Sequence, residues 1–203
     1  QKNIIKKIIV KLTNKLLGID YCVKQQDFEK SMWGKKIDIN KLCTCYKNIY
    51  IQTCEEFGDN YLEFQKFKPV KELMEQIRKT EKQFNHTIGI HIRRTDNIHS
   101  IEKSPVNLFE GKILEKINHI NDVTFFLSTD DQSTEKEFVE KFGNRLIIRD
   151  RILNRNSIAG IQDAVIDMYC LSRTKIIYGS YWSSFSDISA RIGKIEFIPL
   201  KKV

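Results

Sequence analysis

The spacing of apolar residues changes near Thr87. From Thr87 to Ile92 it alternates: Ile88, Ile90 and Ile92 fall on one face, Gly89, His91 and Arg93 on the other, which is the period of a strand. Just upstream the spacing is helical. Val70, Leu73, Met74, Ile77 and Phe84 follow one face, and Pro69 suits the first position of that helix. Downstream, strands and helices alternate. A helix opens at Ser104-Pro105 with Phe109, Ile113 and Ile117 on one face, and Val123–Thr129 reads as a buried strand. Ser133–Phe142 is a helix closed by Gly143, and Arg145–Arg149 is a short strand. Gly160–Ser172 is a helix with Ile161, Ala164, Val165, Met168 and Leu171 toward the core. Lys175–Tyr178 is a strand, Ser183–Ile192 a helix stopped by Gly193, and Lys194–Ile198 the last strand. Such alternation predicts an α/β fold, a Rossmann-like parallel sheet covered on both faces.

The first 85 residues lack that order, so the chain is expected to divide into a lobe over 1–85 and a sheet domain over 86–203. Residues 2–17 read as a helix with an apolar stripe through Ile4, Ile5, Ile8, Ile9, Leu12 and Leu16, a lysine-rich opposite face, and Gly18 as its stop. A packed helix with a solvated basic face is the expectation; a helix lying on a membrane surface is the alternative. Gly18–Leu42 is polar and irregular, with a short helix at Gln26–Met32. Asn48–Cys54 has strand character, and the aromatic-rich 57–67 reads as a connecting lobe.

Composition adds bounds. The 203 residues are 41% hydrophobic and 30% charged, which fits an ordinary globular chain and excludes a disordered one. A formal net charge of +8 favours anionic partners. The lysines are dispersed and no aromatic-basic RNA motif accompanies them, so nucleic acid is not expected as a partner. Five cysteines (Cys22, Cys43, Cys45, Cys54 and Cys170) without regular spacing suggest reduced thiols in a cytoplasmic protein. Cys43-Thr-Cys45 has no second pair at ligand spacing, so buried thiols are expected there rather than a metal site. No stretch is long and apolar enough to span a membrane.

The chemistry concentrates where the first sheet strand ends. His91-Ile-Arg93-Arg94-Thr-Asp96 delivers guanidinium groups to a strand's carboxyl edge, where open α/β sheets bind ligands. Arginine's fork matches phosphate bidentately, so these residues predict a phosphate or diphosphate site. An Arg94–Asp96 surface salt bridge is the plainer alternative.

Three stretches in order resemble the fucosyltransferase superfamily that includes α1,2-, α1,6- and protein O-fucosyltransferases. They are His-Ile-Arg-Arg-Thr-Asp at 91–96, Phe-Phe-Leu-Ser-Thr-Asp-Asp at 125–131, and 167–186 ending in Tyr-Trp-Ser-Ser-Phe-Ser. The resemblance implies the glycosyltransferase B arrangement, with the nucleotide-sugar donor mostly on the 86–203 domain and an incomplete acceptor-side lobe before it. A glycine-asparagine loop that touches donor phosphates near the N-terminus of such proteins is absent from this sequence. The implied reaction is inverting, metal-independent transfer of fucose from GDP-fucose to a hydroxyl of a glycan or lipid-linked glycan, with no cofactor. A non-catalytic GDP-sugar-binding module is the alternative. The cysteine pattern, not the resemblance, puts the expected setting in the cytoplasm, and the lysine-faced helix over 2–17 adds the membrane periphery as an alternative.

On the same resemblance, Arg93 would bind the β-phosphate, with Arg94 beside it holding the strand end or cleft. Ser183 and Ser184, at a helix start, would cup the diphosphate, although a serine there also caps helices. Asp167 would read guanine, with His91 nearby; spacing alone would make Asp167 an exposed helix carboxylate. Asp130 and Asp131 are adjacent rather than separated by one residue as in metal-dependent glycosyltransferases. They are expected at the donor's edge of the cleft or as a helix cap. The candidates for the base that takes the acceptor's proton are Glu102, then Asp96, then His99, with Asp96 alternatively orienting Arg94.

Overall fold

The computed structural model describes residues 12–27, 37–52 and 63–202. The chain forms two compact units, Gln1–Asn60 and Tyr61–Val203. The second unit begins well before the expected boundary at 85/86, because the helix Lys71–Glu81 buries Ile77 in the core of the sheet unit.

In the first unit, the expected helix over 2–17 is described only from residue 12. Residues 12–16 are helical, and Gly18 takes the left-handed conformation (φ +66°) that a helix stop favours. Leu12, Leu16 and Leu17 are exposed rather than packed. Strand β1 (Tyr21–Lys24), within the stretch expected to be irregular, pairs in parallel with β2 (Ile49–Gln52). Between them runs the short helix α1 (Ile39–Cys45), capped by the Asp38 carboxylate. Residues 25–27 are helical, whereas the rest of Gln26–Met32 lies outside the described residues, as does Cys54. Cys43 and Cys45 are exposed, contrary to the expectation of buried thiols, because α1 buries none of its residues.

The second unit holds a five-stranded, all-parallel sheet in the order β5-β4-β3-β6-β7. Its elements are α2 (Lys71–Glu81), β3 (His86–Ile92), α3 (Ile98–Lys103), α4 (Val106–His119), β4 (Val123–Thr129) and α5 (Gln132–Phe142). After these come β5 (Leu146–Ile147), α6 (Ile158–Leu171), β6 (Ile176–Ser180), α7 (Ser184–Gly193) and β7 (Glu196–Leu200). The chain winds outward from β3 through β4 to β5, then returns to β3's other side with β6. The order therefore reverses between β3 and β6, the switch point where ligands of such sheets bind.

Alternation along the strands builds two cores, one on each face. Ile88, Ile90 and Ile92 pack with Phe109 and Ile113 of α4 and with Phe138 and Phe142 of α5. On the opposite face Phe126, Ile147 and Ile177 pack with Ile77 of α2, with Ile166, Tyr169, Cys170 and Leu171 of α6, and with Ala190 of α7. Full burial of each of these large side chains contributes about 1.5–3 kcal/mol. Burial pushes the Cys170 thiol up to about 12, so it stays protonated in this core.

Several local expectations are corrected. Pro69 lies before the N-cap Val70 of α2 rather than at the helix's first position, and Val70 is exposed. The strand after α5 is confined to Leu146–Ile147. Gly193 ends α7, but the left-handed cap is Lys194 (φ 54°). A Cβ on Gly193 would lie 2.1 Å from the Ser172 carbonyl oxygen, so this glycine serves the close approach of α7 to the end of α6. In α6 the packed face matches the expected one only in part: Leu171 is in the core and Val165 lies against it. Ile161 and Ala164 are exposed, whereas Asp167, Tyr169 and Cys170 are buried. Among the described residues, no helix is long and apolar enough to cross a membrane.

Candidate functional site

The carboxyl ends of β3 and β4, the loop after β5 and the start of α6 enclose a cavity of about 710 Å³. Its walls include His91, Arg93 and Asp96 from β3 and the loop beyond it, and Ser128 and Asp130 from the end of β4. Arg151 and Arg155 come from the loop after β5, Asp163 and Asp167 from α6, and Phe185 from α7.

The loop after β3 is held in place by β6 and β4. The Arg93 backbone N–H donates to Ser180 Oγ at 3.0 Å, carrying the strand pairing one step past the sheet. The Asp130 carboxylate accepts from the Arg94 N–H at 2.6 Å, from the Thr95 N–H at 3.4 Å and from the Thr95 hydroxyl at 2.7 Å. Asp130 thus shapes the arginine loop as well as lining the cavity. Asp131 does not line the cavity: it caps α5, accepting from the N–H and hydroxyl of Thr134, and those bonds hold its carboxyl below the usual range.

Arg93 projects at the cavity wall with 24% of its side chain exposed. Its guanidinium donates to Asp96 at 2.5 and 3.1 Å, and its Nε lies 3.7 Å from Asp130. Asp96 pairs with Arg93, not with Arg94 as the sequence suggested, and also with Arg155 at 2.8 Å. Hydrogen bonds from Arg155 and then Arg93 hold the Asp96 carboxyl below its ordinary value, which makes it a weaker base. Arg94 turns its guanidinium to the Ser104 carbonyl at 3.2 Å and does not line the cavity. Glu102 is exposed on α3, outside the cavity.

His91 sits on the sheet face that carries α6 and α7. Its ring stacks on Phe185 at 4.8 Å, and Nδ1 lies 2.7 Å from Ser186 Oγ. Burial lowers its pKa to about 4, so it is neutral at physiological pH. Gly179 of β6 makes this contact possible, since a Cβ there would lie 2.3 Å from Ser186 Oγ. Ser183 is the N-cap of α7, yet its side chain makes no capping hydrogen bond. Its Oγ is buried and has no hydrogen-bond partner. Ser184 is exposed in the first turn of the same helix.

Asp167 is enclosed rather than exposed. Oδ1 accepts from Arg149 Nε at 3.0 Å, Oδ2 accepts from Ser128 Oγ at 2.9 Å, and Arg151 Nε approaches Oδ2 to 3.2 Å outside hydrogen-bond geometry. Arg149 also bonds Asp163 at 2.8 Å, and Arg151 bonds Glu135 at 2.5 Å. Arg149 and Arg151 were not singled out in the sequence. Their signal was present: two arginines one residue apart after the Leu-Ile-Ile run, at another strand's carboxyl end.

Comparisons with solved structures fit this arrangement of strands. The chain is similar to POFUT1 in complex with GDP, with 11% identity, a TM-score of 0.53, and coverage of 75% of this chain and 56% of that one. It is similar to NodZ α-1,6-fucosyltransferase soaked with GDP-fucose at 20% identity and a TM-score of 0.52, over 71% of this chain and 51% of that one. A mutant of Arabidopsis thaliana FUT1 in complex with GDP matches at 12% identity and a TM-score of 0.56, over 87% of this chain and 48% of that one. What the chain shares with them is a fold. It is an α/β, Rossmann-like parallel sheet of the glycosyltransferase B type, and the chain spans about half the length of these structures. No protein-family model matches the sequence, and no curated protein matches it.

Proposed function

We propose that the sheet unit binds GDP-fucose at the carboxyl edge of β3 and β6, and that the protein transfers fucose from it, with inversion and without a metal, to a glycan hydroxyl. The observation that carries this reading is the Arg93 guanidinium at the cavity wall, with a second polar group, outside the cavity lining, on the neighbouring strand end. Arg93 is partly exposed after β3; the second group is the unpartnered Ser183 hydroxyl at the amino end of α7, after β6. POFUT1 is solved in complex with GDP and NodZ soaked with GDP-fucose, which supports the same donor here.

In the transfer, the acceptor oxygen bonds to the anomeric carbon as the bond to the β-phosphate oxygen breaks, and negative charge grows on GDP. Arg93, the Ser183 hydroxyl and the first N–H groups of α7 would stabilise that charge. Asp167 lines the cavity and has about four acceptor positions; Arg149 and Ser128 use two and Arg151 stands 3.2 Å from Oδ2, so guanine's N1–H and exocyclic amine would take the remaining ones. The neutral His91 and Phe185 form the adjacent wall. Glu102 would take the acceptor's proton, because the hydrogen bonds from Arg155 and Arg93 that lower the Asp96 carboxyl make Asp96 a weak base. Since guanidinium groups supply the positive charge, the reading has no divalent ion and no cofactor.

The second reading, a GDP-sugar-binding module without turnover, is favoured by one observation: Glu102 stands outside the cavity. Following GDP release from GDP-fucose with a glycan mixture separates the two. The transfer reading expects multiple turnovers, unchanged by EDTA. Binding without turnover supports the module, and inhibition by EDTA that manganese reverses contradicts the metal-free step.

A further inference from the structure

Beside the Arg93 loop, outside the cavity, stands an aromatic pair that the donor reading does not use. Trp182 is 67% exposed although its backbone is in the left-handed region (φ 59°), which a bulky side chain disfavours. Neighbouring elements hold it there. Asn97 Nδ2 donates to the Trp182 carbonyl at 3.1 Å, Ser100 Oγ donates to the Tyr181 carbonyl at 2.6 Å, and the Tyr181 N–H donates to Ser104 Oγ at 2.7 Å. The indole stacks on His99 of α3, with ring centres 5.2 Å apart and planes 30° apart. Strained backbone kept by surrounding bonds recurs at ligand clamps, and here two-thirds of the residue stays open to solvent.

Polar chemistry surrounds this ring. Glu102 lies three residues after His99 on α3, hence on the same helix face, and both are exposed. Asn97, whose amide bonds the Trp182 carbonyl, directly follows Asp96 of the cavity wall. An aromatic plane flanked by a carboxylate suits a pyranose, which offers a C–H face for stacking and a rim of hydroxyl donors. With Lys201 Nζ 5.1 Å over the neighbouring Tyr181 ring, the surroundings carry both charges, which an apolar helix or lipid tails pressed over the ring would have to desolvate.

We propose that Trp182, backed by His99, is the stacking platform for a sugar ring of the acceptor glycan, with Glu102 accepting a hydrogen bond from that ring's hydroxyl. This rests on the donor reading and places the acceptor on the α3 side of the Arg93 loop. The platform would make Glu102's position outside the donor cavity functional, since the base belongs beside the acceptor.

The test is tryptophan emission of the full chain titrated to millimolar concentrations of cellobiose, lactose, mannobiose and chitobiose, in the wild type, Trp182→Leu and Trp182→Phe. At least one disaccharide is expected to shift the emission in the wild type. Calorimetry with that sugar should show affinity reduced about tenfold in Trp182→Leu and largely kept in Trp182→Phe. GDP affinity should be the same in all three proteins. No response to any of these sugars overturns the platform, as does a response that survives in Trp182→Leu and so arises at the other of the chain's two tryptophans, Trp33. Loss of binding to anionic vesicles, or of self-association, on Trp182→Leu without a sugar response assigns the ring to those partners and also overturns it. A wild type that binds the sugar but not GDP leaves the platform standing and removes the donor reading instead.

Discussion

Replacing Arg93 with alanine is expected to lower GDP-fucose turnover roughly a hundred- to a thousandfold, the loss that follows removal of one donor aimed at developing negative charge. The fold should survive. Arg93's partners are the partly exposed Asp96 and Asp130, and exposed ion pairs of this kind contribute about 1 kcal/mol or less. The backbone N–H that bonds Ser180 remains in the variant. Arg93→Lys keeps the charge and loses the planar fork, so its rate should fall between wild type and alanine. Steady-state kinetics with a denaturant titration of each protein check both halves. A normal rate in the alanine variant would remove Arg93 from the leaving-group role.

The other large effect is expected at Asp167, and it falls on stability as well as binding. Its carboxylate lies between Arg149 and Arg151 with side-chain exposures of 4%, 9% and 3%. Breaking a buried ion pair by removing one partner costs about 3–5 kcal/mol. Here each arginine keeps another carboxylate, Asp163 or Glu135, so Asp167→Ala should fall near the lower end, about 3 kcal/mol. Asp167→Asn keeps the shape and a hydrogen bond from Ser128, and it should unfold at higher denaturant than the alanine variant. In the asparagine variant, GDP should weaken more than UDP if the carboxylate reads guanine. Equal losses for the two nucleotides would leave Asp167 with a positioning role only.

These two residues show what was legible beforehand. Arg93's place at a sheet edge followed from the alternation of Ile88, Ile90 and Ile92, because a two-residue period fixes both the strand and the face of each side chain. Asp167's surroundings did not follow. Reading α6 by amphipathicity assumes that polar residues face water, and that assumption sent Asp167 outward and Ile161 inward. The cavity reverses this, since Arg149 and Arg151, distant in sequence, supply the opposite charge that lets carboxylates occupy the packed face. Helix α3 escaped notice because six residues carry no apolar repeat; its start is set by Asn97, whose side chain accepts from the Ser100 N–H. Ser183 went the other way: a serine at a helix start is ordinarily a cap, and only the folded chain shows its hydroxyl unpartnered.

The proposal stands or falls on whether a guanosine diphosphate occupies the edge of β3 and β6. Calorimetric titration of the wild-type chain with GDP, GDP-fucose and UDP reads this directly. Saturable binding of GDP and GDP-fucose at one site, with UDP weaker by about tenfold or more, is the predicted result. Absence of heat with both guanosine nucleotides, or equal affinity for UDP, would contradict it.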